Sequence, residues 1–224
     1  MKFYERGAPS LDKPVVVAAM PDMGNVGGIV VDFINSCVKA KTFRVAKTSY
    51  PDYVIDKGGH IEVPQEEWAY RYADGLITFG GGAGQPRDGA EMHSMCQDVV
   101  DVARRYSSRL IYTVGGFSTR TPQDPPKTLL TATTSELAAQ LRESGFVLNP
   151  RKSVIRGFNG LILGYAKTGG IRGVGLYGEL NDPSIPQYRA AKSVIKTLEK
   201  LTYMKLGDTA RLDAMAEYVE RGGR

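Results

Sequence analysis

Apolar and polar positions fall into blocks along this chain, and the blocks change period. The run Val15-Val16-Val17-Ala18-Ala19 has no polar interruption, which predicts a strand buried on both faces. Val26, Ile29, Val30, Phe33, Ile34 and Cys37 then recur at spacings of three and four, one face of an α-helix. Phe43–Ala46 is the next candidate strand. VIDKGGHIEV, over Val54–Val63, predicts a hairpin turning at Gly58-Gly59. Leu76–Phe79 (LITF) is a second buried strand, ending in Gly80-Gly81-Gly82-Ala83-Gly84. The helix after it carries Met92, Met95, Cys96, Val99 and Ala103 on its apolar face. Asp88 and Glu91 have capping-box spacing at its start, with Asp in place of the usual Ser or Thr. Leu110–Val114 (LIYTV) is a third strand, ending in Gly115-Gly116-Phe117. The proline-rich loop from Ser118 to Lys127 follows, and its composition places it on the surface.

Thr133 and Glu136 repeat the capping spacing before Leu137, Ala138 and Leu141, with Gly145 as the C-cap. The segment RGFNGLILGYAKTGGIRGVGLYGEL, from Arg156 to Leu180, reads as two short strands joined by a glycine turn. A helix is predicted from Gln187 to Leu201. Asp208 caps a last helix, with Leu212, Met215, Ala216 and Val219 on one face. No repeat and no linker divides the chain. The expectation is a single α/β domain over residues 1–224, with a C-terminal helix at 208–220 free to project from it. Strands alternating with helices predict a mainly parallel sheet with helices on both faces. The glycine turns at Gly24, Gly80 and Gly115 all follow strands. They then belong at the carboxyl edge of the sheet, where such folds bind ligands.

Composition narrows the function classes. At 224 residues and 42% apolar, the chain can bury a sizeable core. Its net charge of +5 comes from 29 basic and 24 acidic residues, scattered and without a basic run interleaved with aromatics. Nucleic acid is therefore not an expected partner. No apolar run approaches the roughly 20 residues of a membrane span. The start, MKFYERGAPSLDKP, lacks the apolar segment of a signal peptide, so the cytosol is the default location. Cys37 and Cys96 both fall on apolar helix faces and read as buried free thiols. Two cysteines make neither a disulfide framework nor a metal pattern.

The stretch PDMGNVGG, Pro21 to Gly28, is where a phosphate or nucleotide site would sit. It lacks the GxxxxGK[ST] of a Walker loop, whose lysine and hydroxyl handle phosphate and magnesium. It is not GxGxxG either, and no acidic residue stands where a ribose would need one. Two readings remain: a backbone anion nest at the helix start, or glycines that let strand and helix pack tightly. Gly80–Gly84 is likewise either a close approach to a ligand or a flexible turn. His60 and His93 have no nucleophile patterned beside them, and the ligands of a tetrahedral zinc site are lacking. Asn159, before Gly160, is a turn signal or an amide aimed into the cleft. The cleft residues are thus Gly24, Asn25, Gly27, Gly81, Gly82, Gly115, Gly116 and Asn159, with no catalytic set, metal or cofactor. A nucleoside- or phosphate-type ligand is the small-molecule reading of that cleft.

Five marks in order carry a resemblance. They are Met20-Pro21-Asp22-Met23-Gly24-Asn25-Val26-Gly27; Tyr50-Pro51-Asp52; Leu76-Ile77-Thr78-Phe79-Gly80 with Gln85-Pro86; Thr113-Val114-Gly115-Gly116-Phe117; and Ile155-Arg156-Gly157-Phe158-Asn159-Gly160-Leu161-Ile162-Leu163-Gly164. With them the chain resembles the proteasome assembly chaperone family from about Val15 to Val219, and within it the archaeal and actinobacterial relatives of the second eukaryotic chaperone subunit. The resemblance implies a three-layer α/β fold similar to nucleoside phosphorylases and related hydrolases. It also implies a cytosolic homo-oligomer without established catalytic chemistry, whose partners are proteasome α-subunits or the 20S particle. Some archaeal members bind proteasomes through a C-terminal hydrophobic-tyrosine-any tripeptide. This sequence departs from that pattern, ending Glu220-Arg221-Gly222-Gly223-Arg224 with Tyr218 far from penultimate.

Overall fold

Four parallel strands form the centre of an eight-stranded sheet. They are β2 (Val15–Ala18), β7 (Leu76–Gly80), β8 (Leu110–Ser118) and β10 (Arg172–Leu180), in the order β7-β2-β8-β10. The computed structural model describes residues 1–48, 53–81 and 84–222. The Tyr50-Pro51-Asp52 mark and Gly82 lie outside them. Antiparallel strands extend the sheet on both sides: β6 (Glu67–Ala73), β3 (Lys41–Lys47) and β1 (Lys2–Glu5) beyond β7, and β9 (Thr128–Ala132) beyond β10. The result is a mixed α/β sheet with five of its eight strands running one way. A separate hairpin pairs β4 (Ile55–Asp56) with β5 (Ile61–Glu62) around Gly58 and Gly59, both at positive φ.

The alternation along β2 sorts the two cores. Val17 packs on one face with α1 (Val26–Cys37), α3 (Ser135–Glu143) and α5 (Tyr188–Thr202). Val16 and Ala18 face the other way, against α2 (Gly89–Arg105) and α4 (Phe158–Thr168). Both faces of β2 are covered, which is why it reads as an unbroken apolar run. α6 (Ala210–Glu220), the helix expected to project, lies along α5 and buries Leu212 and Ala216. Lys192–Asp213 and Arg189–Glu220 ion pairs join the two helices.

Several expectations shift. Arg156–Leu180 is not two strands but α4 followed by β10. Phe158, Ile162 and Ala166 recur every four residues and are fully buried, so the apolar run is a helix face. Gly170, at φ +73°, ends that helix, with the Ile171 N–H bonding back to the Ala166 carbonyl. Gly115 and Gly116 lie inside β8, paired with Tyr177 and Gly178, rather than in a turn after it. The cap of α3 is Thr134, whose hydroxyl accepts from the Leu137 N–H, while Thr133 accepts from the Gly173 N–H across the sheet. Asp88 caps α2 as expected, and Gly145, at φ +82°, ends α3. Cys96 is buried, but Cys37, at the last turn of α1, is exposed.

Candidate functional site

The chain leaves β2 at Ala18, stays buried through Met20 and turns at Pro21 and Asp22 into a short 3-10 turn, Met23–Asn25. Gly24 (φ +62°) and Asn25 (φ +50°) both adopt the left-handed conformation that lets α1 start at once. The turn is held from three sides. The Gly24 N–H donates to the Pro183 carbonyl, and the Gly24 carbonyl accepts from the Gln187 N–H. Asn159, in the first turn of α4, accepts the Met20 N–H at 2.9 Å and donates its amide to the Met20 carbonyl at 3.0 Å. Gln85 accepts the Phe158 N–H at 2.8 Å and donates to the Pro21 carbonyl at 3.1 Å.

Asp22 closes the arrangement. Its Oδ1 accepts from the Gly27 N–H at 2.9 Å, and its Oδ2 accepts from the Gly116 N–H at 2.7 Å. The Gly27 N–H of this helix start and the Gly116 N–H of β8 therefore already hold a carboxylate of the protein itself. Burial pushes the Asp22 carboxyl from 3.8 up to about 6, against the opposing pull of the Gly27 and Gly116 bonds and the Asn159 amide. The glycines are dictated by the same packing. A Cβ on Gly27 would lie 2.3 Å from the Met20 carbonyl oxygen. One on Gly115 would lie 2.4 Å from Asp22 Oδ2, and one on Gly116 would lie 2.4 Å from the Met23 carbonyl oxygen.

Beyond Asp22 opens a cavity of about 550 Å³ at the carboxyl edge of β8 and β10. Met23, Phe117, Leu129, Val154 and Ile155 supply its apolar wall. Asp22, Gln85, Asn149, Ser153, Arg156 and Tyr177 supply polar groups. The Tyr177 hydroxyl donates to the Asn159 carbonyl at 3.0 Å, and burial raises that phenol above its usual range. Of the residues expected in the cleft, Gly116 and Asn159 line this cavity. Asn159 is neither a turn residue nor free, since its amide is spent on Met20. Gly24, Gly27 and Gly115 are packed behind the wall, and Asn25 lines a different groove with Phe33 and Arg211. Gly81, at φ +116°, lies beside Glu67 and Trp68 of β6. Asp22 was missed, although it stands within PDMGNVGG. Its signal was an acidic side chain just ahead of a helix start, at a spacing of five rather than the usual two or three of an N-cap.

Among the described residues, no group of three or more His, Cys, Asp or Glu side chains could hold a metal ion. Among the same residues no helix is long and apolar enough to cross a membrane.

Comparison with known proteins bears on the whole chain. The model of the PAC2 family matches residues 16–222. An uncharacterized protein of Methanocaldococcus jannaschii is 26% identical over 221 residues, spanning 94% of this chain and 83% of the relative. The solved structure of Pyrococcus furiosus PbaB, an archaeal proteasome activator, superposes with a TM-score of 0.83 at 24% identity, covering 98% of this chain and 96% of that one. P. furiosus PbaA, an archaeal homolog of proteasome-assembly chaperone, gives 0.80 at 17% identity over 99% and 94%. A Mycobacterium tuberculosis proteasome-assembly chaperone homologue gives 0.70 at 19% identity over 93% of each chain. At these identities the structural likenesses establish the mixed α/β fold.

Proposed function

The chain belongs to the PAC2 family, and from that premise we propose that it is a non-enzymatic, cytosolic homo-oligomer that binds proteasome α-subunits or 20S particles. The observation that carries this reading is the family match over residues 16–222, joined to a fold shared along its length with PbaB and PbaA. An oligomer would act by presenting several copies of one surface, so that binding one α-subunit raises the effective concentration for the next. The candidate surfaces are the loop at 118–127, most of whose residues are exposed, and the outer face of α6. Native mass spectrometry of the protein mixed with 20S α-subunits from the same organism tests it. A complex of defined stoichiometry is expected. An oligomer that ignores the subunits and the assembled particle refutes the proposal.

A second reading is favoured by one observation, the cavity with a buried carboxyl in its wall. The protein would then bind a small molecule at the carboxyl edge of the sheet. A nucleoside or phosphate compound that raises the melting temperature would support it, and no shift with any of them would count against that ligand class.

A further inference from the structure

The Asp22 cavity is built for a ligand chemistry that the glycine pattern alone does not announce. We propose that it binds a small, largely apolar molecule carrying a protonated amine, with the amine on Asp22 and the apolar body against Phe117, Leu129 and Ile155. The cavity volume of about 550 Å³ falls in the range of small-molecule sites, roughly 300–1,000 Å³.

Three observations choose the class. The first concerns which polar groups are already committed. The amides of Gln85, Asn149 and Asn159 each donate and accept within the protein. Asp22 accepts the Gly27 and Gly116 N–H groups and also feels the Asn159 amide, and it makes no ion pair within the chain. The second is charge. Among the described residues no lysine or arginine pairs with Asp22, so the carboxylate faces the cavity without a counter-ion. An ammonium would find an opposite charge at Asp22, while Arg156 is the wall's own cation and does not pair with Asp22. The third is the mouth. Val154 is 78% exposed and Ile155 36% exposed on the strand-free segment before α4, an apolar edge that a ligand's body would cover.

Proton linkage follows. Protonated Asp22 cannot pair with an ammonium, so binding weakens as pH falls through about 6. The other titratable side chains in the wall are Tyr177, held protonated by burial, and the guanidinium of Arg156; neither histidine lines the cavity. The pH response therefore reports Asp22.

The test is calorimetric titration of the full chain with phenethylamine, 2-phenylethanol and phenyl phosphate. Phenethylamine is expected to bind at least about tenfold more tightly than the isosteric alcohol at about pH 7.5, and to lose about tenfold in affinity at about pH 5. Phenyl phosphate is expected not to bind. Asp22→Asn should erase the preference for the amine over the alcohol in protein whose circular dichroism is unchanged. Because that variant also loses an acceptor for one backbone N–H, the pH series on the unaltered protein stands as an independent measurement. Equal affinity for amine and alcohol, a pH-independent affinity, tighter binding of phenyl phosphate, or no amine binding at about 10 mM each overturns the proposal. None of these outcomes depends on whether α-subunits bind.

Discussion

Ionised Asp22 is held in the folded protein at a measurable cost, and removing its charge exposes that cost. Its carboxyl moves from 3.8 to about 6 on folding. That is about two pKa steps at about 1.4 kcal/mol each, or about 3 kcal/mol between the two protonation states. The folded pKa is the raised one, so the folded state binds the proton more tightly than the unfolded chain. The stabilisation is fully present below about pH 4 and is lost as pH rises through about 6. Asp22→Asn cannot titrate. It keeps one carbonyl oxygen for Gly27 or Gly116 and turns an NH₂ toward the other N–H, which costs about 1–3 kcal/mol at every pH. Urea unfolding of both proteins at several values between about pH 4 and pH 7.5 separates the two effects. The wild-type advantage over the variant should shrink by about 2.5 kcal/mol across that range, while carboxylates common to both cancel. A flat difference, or one that grows with pH, would show that Asp22 is not desolvated as described.

The other predictions concern the groups that hold the turn. Asn159→Ala strands the Met20 N–H and carbonyl in a buried site and should cost about 3 kcal/mol in urea unfolding; a loss under about 1 kcal/mol would mean that water replaces the amide. Gly27→Ala forces a Cβ against the Met20 carbonyl, which cannot swing away, and should destabilise by about 2–3 kcal/mol. Gly89→Ala, at the start of α2 with nothing within 4 Å, should be neutral or gain up to about 1 kcal/mol, so equal losses at the two sites would contradict the packing account. A thiol reagent should modify exposed Cys37 in the native protein and Cys96, whose thiol burial pushes up to about 12, only in urea; intact mass counts the labels, and two labels on native protein would contradict the burial of α2.

Much of the frame was legible because it is local. β2 is an unbroken apolar run, β7 and the start of β8 are apolar but for Thr78 and Thr113, and α1 and α2 show their faces at three- and four-residue spacing. α4 was misread because Leu161-Ile162-Leu163, bounded by glycines, fits a buried strand as well as a helix. The decision lies in Phe158, Ile162 and Ala166 packing against α2 and the sheet, which is tertiary information. β6, β9 and β1 left weaker signals. β6 carries buried Trp68 and Tyr70, but Ala69 between them is buried too, so the polar half of the alternation is missing. β1 is an edge strand with three of its four residues exposed, and such a strand has no apolar pattern to show.

The site was half legible for a different reason. Gly116 and Asn159 were found because glycine and asparagine beside strands are conspicuous. Asp22 was passed over because its spacing of five to Gly27 is not that of an N-cap and its other partner, Gly116, is 94 residues away. Yet the glycines and the aspartate are one feature. Gly115 and Gly116 have no side chains because the Asp22–Met23 turn crosses β8 there, and Gly27 has none because Met20 lies against it. Tight packing therefore accounts for the glycines in PDMGNVGG, and what it encloses is a carboxylate in the place where a bound anion would otherwise sit. Fold likeness carries no ligand from one relative to another. A relative that keeps glycines at 27, 115 and 116 but lacks the acid at 22 should keep the turn and lose both the pH-dependent stability and the preference for amines.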